Sequence, residues 1–196
     1  MKVAIVKYNA GNIASVINAL KRLGVQPILT DDPQELRTAD KVIYPGQGEA
    51  GTAMEYLRSH SLDTLIRSLT NPVLGICIGQ QLMCAHSEEK DTTCLGIFDV
   101  PVLRFIPKEH TQKVPHMGWN SLAGTSGPLM KGIAPGQHVY FVHSYYVPLC
   151  AHTVAQCEHI VPFSAALQKD NFYATQFHPE KSGSVGEQIL QNFLQL

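Results

Sequence analysis

The sequence predicts an α/β protein: a mostly parallel, twisted sheet flanked by helices, with an antiparallel β extension. Three observations carry that prediction. From Val3 to Lys90, short apolar runs alternate with longer segments whose apolar residues recur at helical spacing. The apolar runs lack a polar alternate, as strands buried on both faces do. Beyond Lys90 the pattern changes to short β-prone runs separated by turn residues. No repeat, low-complexity stretch or linker divides the chain, so residues 1–196 read as a single domain.

The elements follow in order. Val3–Val6 is an apolar first strand. Asn12 can cap a helix that carries Ile13, Val16, Ile17, Leu20 and Leu23 on one face, with Gly24 as its stop. Val25–Thr30 reads as a second strand, and Asp32-Pro33 starts a short helix with proline in the first turn. Lys41–Tyr44 is a third strand, halted by Pro45-Gly46-Gln47-Gly48. A helix through Met54, Leu57, Leu62, Leu65 and Leu69 follows, broken near Ser59–Ser61. Val73–Ile76 is a fourth strand and leads into a helix from about Gly79. In the second half, Val100–Phe105, the neighbourhood of Ser121, Val139–Val147, Thr153–Gln156, Ser164–Gln168 and Phe172–Phe177 read as strands. Val185–Leu194 is helical.

Composition narrows the functional classes. Apolar residues make up 44% and charged residues 16% of the 196, and the net charge is −1. That balance gives no electrostatic basis for nucleic acid or an anionic membrane. No apolar run is long enough for a bilayer span. The start, Met1 to Val6, reads as a strand rather than a signal peptide. Five cysteines, Cys77, Cys84, Cys94, Cys150 and Cys157, fit free thiols in a reducing, cytoplasmic setting.

Two motifs carry chemistry. The fourth strand runs into Gly75-Ile76-Cys77-Ile78-Gly79 and then a helix. This is the shape of a nucleophile elbow with cysteine at its tip. Flanking glycines let strand and helix approach, and the helix N-terminus favours a thiolate. The Ile78 N–H can face a developing oxyanion. Taken alone, the pattern also fits a buried core cysteine. The second motif is His178-Pro179-Glu180 at the end of the last strand. Proline biases His178 to an extended backbone. A carboxylate beside the imidazole would orient it, making Cys77, His178 and Glu180 a nucleophile, base and orienter.

Together, Gly75–Gln81 and His178–Glu180 resemble the class I, or triad, glutamine amidotransferases, a flavodoxin-like α/β family. The resemblance spans the chain. Within the family, Pro115-His116-Met117-Gly118-Trp119-Asn120, Tyr140–Tyr146 and Lys181-Ser182-Gly183 are similar to members that pass ammonia to a separate (β/α)8-barrel cyclase in histidine biosynthesis, as a heterodimer. The resemblance implies that Cys77 forms a γ-glutamyl thioester with L-glutamine and that His178 moves the proton. Oxyanion donors would come from the backbone at Gly46, Gln47 and Ile78, and substrate contacts from Gln81, Ser144 and Tyr145. Asn12, Trp119, Tyr140 and Lys181 would face the partner. No cofactor and no metal are implied. Other triad amidotransferases, and a silent binding subunit that kept the fold, remain as alternatives.

The chain departs from the family's usual pattern in the loop Lys7–Asn12, which normally begins with Asp and has Gly at Asn9. It departs again at Gln47, where Val is usual, and at Leu95-Gly96-Ile97, a shortened glycine stretch. Cys150-x-His152 and Cys157-x-His159 have zinc-ligand residue types without the usual Cys-x2-Cys spacing, and read as strand and turn residues. Cys84 reads as a core residue.

Overall fold

A computed structural model describes residues 1–8, 13–46 and 48–196. Asn9, the Asn12 cap and Gln47 therefore lie outside the described residues. The strands are β1 (Val3–Val6), β2 (Ile28–Thr30), β3 (Lys41–Tyr44), β4 (Val73–Ile76), β5 (His86–Ser87), β6 (Thr92–Thr93), β7 (Pro101–Arg104), β8 (His116–Ser121), β9 (His138–His143), β10 (Tyr145–Tyr146), β11 (Thr153–His159), β12 (Val161–Lys169) and β13 (Phe172–Thr175). The helices are α1 (Ile13–Arg22), α2 (Pro33–Thr38), α3 (Ala50–Ser59), α4 (Leu62–Arg67), α5 (Ile78–Leu82) and α6 (Gly183–Leu194).

The central sheet has the order β11-β12-β13-β4-β3-β1-β2. From β13 to β2 all neighbours are parallel, and β12 and β11 extend the sheet antiparallel. This is the predicted α/β class. Each core strand is buried on both faces, and alternate residues feed two separate cores. Val3, Ile5, Ile43, Leu74 and Ile76 pack with α1 and α6 on one side. Ala4, Val6, Val42, Tyr44 and Val73 pack with α2, α3, α4 and α5 on the other. Side chains alternate across a strand, so unbroken apolar runs are what such a doubly covered sheet requires.

Local chemistry fixes several boundaries. Asp32 caps α2, its Oδ1 accepting from Gln34 N at 2.9 Å and Glu35 N at 2.8 Å, with Pro33 in the first turn. The break between α3 and α4 falls where expected, and Ser61 there takes φ 55°. The second strand is shorter than expected, because Val25 instead closes the end of α1, its N–H bonding to Leu20 O.

The second half differs more. The run Val139–Val147 is not one strand. It breaks at Ser144: β9 forms a hairpin with β8, while β10 joins β7 in a small four-stranded sheet with β5 and β6. The last strand, β13, returns to the middle of the parallel sheet beside β4. Such a long-range choice leaves no local trace, since a parallel partner is selected by tertiary packing.

Candidate active site

The order β13-β4-β3 sets the site. All three strands are parallel, so their carboxyl ends emerge at one edge, where α/β sheets bind ligands. The loop after β4 carries Cys77, the loop after β13 carries His178, and the loop after β3 carries Gly46. The cysteine is thus flanked by the other two.

Cys77 has φ 56° and ψ −108°, between the end of β4 and the start of α5. Its N–H still bonds to Thr175 O at 2.7 Å, which ties the turn to β13. Glycine is required on both sides of it. A Cβ on Gly75 would lie 2.9 Å from the Gly79 carbonyl, and one on Gly79 would overlap the Tyr44 carbonyl. As the first residue of α5, Ile78 has an N–H without an intrahelical partner. Gly46 packs directly on this turn, since a Cβ there would collide with the Ile78 side chain. Tyr8 Oη donates to Pro45 O at 2.5 Å and anchors the start of that loop. Gly48 has φ 146°, in a region L side chains rarely adopt.

His178 is held by its backbone. Its N–H bonds to Tyr140 O at 2.9 Å, and Ser182 Oγ donates to its carbonyl at 2.6 Å. The turn Pro179–Lys181 brings Glu180 back, with Oε1 2.7 Å from His178 Nδ1 and both side chains 2% exposed. The other ring nitrogen, Nε2, has no hydrogen-bond partner among the described residues. Burial opposes a charged ring, but Cys77 and Glu180 outweigh it and raise the pKa to about 9. The imidazole is therefore protonated near neutral pH, with Nε2 carrying a proton that it can pass on.

A cavity of about 450 Å³ opens over these groups. Cys77, Ile78, Gln81, Ser144, Tyr145, His178 and Gly48 all line it. Cys77 Sγ lies 3.8 Å from Val142 O and 3.7 Å from Gln176 Nε2. Gln81 is buried and fixed, its Nε2 donating to Tyr145 O and to Gln176 Oε1, each at 3.0 Å. Trp119 and Tyr140 pair across the β8–β9 ladder with rings edge to face at 6.1 Å. Trp119 is 56% exposed and its strand neighbour Met117 64%. Lys181 follows Glu180 in the same turn.

Two residues at the site escaped the sequence reading. Gln176 is fully buried between Gln81 and Cys77. Its signal was a lone amide inside the expected strand Phe172–Phe177, since a buried amide needs partners. Glu89 lines the cavity, its Oε2 accepting from Ala50 N at 2.8 Å, and burial pushes its carboxyl pKa up. No local pattern distinguishes it from its neighbour Glu88. Of the residues weighed for zinc, Cys157 and His159 lie on β11, and Cys150 and His152 in the preceding turn. No group of three or more ligand-type side chains gathers among the described residues. Cys84 is fully buried, and burial pushes its thiol up.

The family model for glutamine amidotransferase class-I matches residues 4–196. The chain belongs to the class I glutamine amidotransferases. It is 61% identical to the imidazole glycerol phosphate synthase subunit HisH of Bacteroides thetaiotaomicron over the whole of both chains. It is 45% identical to the subunit of the same name from Yersinia pseudotuberculosis, again over the full length of both. Among solved structures, one described as a glutamine amidotransferase superposes with TM-score 0.75 at 18% identity, covering 98% of this chain and 97% of that one. PurLQS from Thermotoga maritima gives TM-score 0.72 at 17% identity over 99% of this chain and 97% of that one. At such identities the structural likeness speaks for the fold alone.

Proposed function

We propose that this chain is the glutaminase subunit of imidazole glycerol phosphate synthase. The observation that carries the reading is full-length identity of 61% to a subunit of that name, in a chain whose Cys77 and His178 line one cavity with Glu180 behind the imidazole. L-glutamine enters with its side-chain amide toward Cys77. Cys77 gives its proton to His178 Nε2 before the attack, Sγ adds to the amide carbon, and the Glu180 carboxylate stabilises the imidazolium. The developing oxyanion is met by the Ile78 N–H and by the Gly46–Gln47 backbone. His178 returns the proton to the departing nitrogen, which leaves as ammonia, and water then hydrolyses the thioester to L-glutamate. Gln81 and the Ser144–Tyr145 backbone hold the substrate, and the Glu89 carboxylate suits its α-ammonium.

The ammonia passes to a cyclase subunit with a (β/α)8 barrel, with which this chain forms a cytoplasmic heterodimer. The cyclase makes imidazole glycerol phosphate and aminoimidazole carboxamide ribonucleotide in histidine biosynthesis. The exposed pair Met117 and Trp119, with Tyr140 and Lys181 beside the His178 loop, forms the seat for this partner, and the family resemblance adds Asn12 to the partner contacts. Aromatic anchors with an apolar centre suit such an interface. A glutamine-mimicking electrophile tests the assignment. Peptide mapping should place the label on Cys77, and excess L-glutamine should protect it. Absence of labelling with the partner bound would leave a silent binding subunit instead.

A further inference from the structure

Two buried histidines have no part in the scheme above. His116 and His143 face each other across the β8–β9 ladder, and His116 Nδ1 lies 2.9 Å from His143 Nε2. His143 Nδ1 reaches Tyr145 O at 2.8 Å, and Asn120 Nδ2 lies 3.2 Å from His116 Nε2. The Asn120 amide is itself oriented, since Nδ2 donates to Glu158 O at 2.9 Å and Oδ1 accepts from Ser121 N at 2.8 Å.

These contacts assign every proton. A carbonyl only accepts, so His143 Nδ1 carries hydrogen. Burial, the largest cause in both rings, holds His143 down at about 3 and His116 at about 4, so both are neutral near pH 7. A neutral ring has one N–H, so His143 Nε2 accepts from His116 Nδ1. His116 Nε2 in turn accepts from Asn120. The donors all point one way, from β8 toward Tyr145. Rings pack against the chain: Phe141 stacks on His116 at 4.7 Å and His159 on it at 4.2 Å, and Phe105 meets His143 at 5.4 Å. At its end, Tyr145 O receives both His143 Nδ1 and Gln81 Nε2, while the preceding carbonyl of Ser144 accepts from Phe105 N at 3.0 Å. Both carbonyls of the Ser144–Tyr145 segment are thus pinned from the protein side.

We propose that Asn120, His116 and His143 are positioning residues that lock the Ser144–Tyr145 backbone in the form that receives the amino-acid end of glutamine. This rests on the glutaminase reading above. The segment lies at the break between β9 and β10: a backbone N–H, that of Phe105, holds the Ser144 carbonyl, and side-chain donors hold that of Tyr145.

The test has two parts. Nitrogen-15 spectra of histidine-labelled protein should show His143 as the Nδ1–H tautomer with a bare Nε2. An Nε2–H tautomer at His143 overturns the proposal, whatever any variant does. Next, His116→Phe keeps the ring stack but loses the donor, whereas His116→Asn restores an N–H near the Nδ1 position. In the two-subunit enzyme, His116→Phe should raise the KM for glutamine roughly tenfold, with kcat within about twofold, the scale of one lost buried hydrogen bond. His116→Asn should recover most of that loss. An unchanged KM in His116→Phe, or an equal rise in both variants, overturns the proposal. Failure of the underlying reading looks different: the wild-type enzyme itself would release no ammonia from glutamine.

Discussion

Cys77 occupies a conformation, φ 56°, that costs a side chain of its kind on the order of 1–3 kcal/mol. The strain is tolerated because Gly75 and Gly79 let β4 and α5 close around it and because Thr175 O holds its amide. His178 is equally constrained, and its charge state depends on Glu180. Glu180→Gln should lower the His178 pKa from about 9 and reduce glutaminase kcat by about 10³-fold or more; NMR titration and steady-state kinetics check the two halves. Because the folded value lies above the free imidazole's, this group's contribution to stability is full below about pH 6.5 and fades as pH rises through 9. At this scale the sequence was informative: Cys77, His178 and Glu180 stand in motifs whose local geometry could be read directly. Gln176 and Glu89 could not be assigned, because their roles arise from what folding places beside them.

At the scale of elements, the loops after β3 and β4 interlock. Gly79→Ala puts a methyl group into the Tyr44 carbonyl and should destabilise the fold by about 1–3 kcal/mol, read from chemical denaturation. Gly48→Val acts differently. Nothing lies within 4 Å of a Cβ there, but φ 146° is not open to a β-branched residue. The loop must then change course, and ammonia release stimulated by the partner should fall while the melting temperature changes little. Asp32→Ala removes the acceptor of two capping bonds and should cost about 1 kcal/mol. The parallel strands and their helices were legible because doubly buried runs and caps are local signals. The β5–β6 pair was not, since two-residue strands such as His86–Ser87 carry too little pattern, and the break at Ser144 is imposed by two different sheets claiming its neighbours.

For the whole molecule, two sets of histidines pull stability in opposite directions. His116 and His143 are neutral in the fold, at about 4 and about 3, but titrate near 6.5 when unfolded. Their contribution is intact above pH 6.5 and is lost as the pH falls through those folded values. Denaturation midpoints measured from pH 7 to 4.5 should fall, and the fall should be shallower in His116→Phe. The outer face of the same hairpin presents Trp119 and Met117. Trp119→Ala should weaken association with the cyclase about tenfold or more, measurable by calorimetry, without loss of fold. The central claim is that Cys77 releases ammonia which a second subunit consumes. Its most direct test is Cys77→Ala in the two-subunit enzyme, assayed once with glutamine and once with ammonium salt as nitrogen source. Glutamine-driven synthesis should drop by about 10³-fold or more, with ammonium-driven synthesis within about twofold of wild type. Glutamine-driven turnover that survives the substitution would contradict the claim.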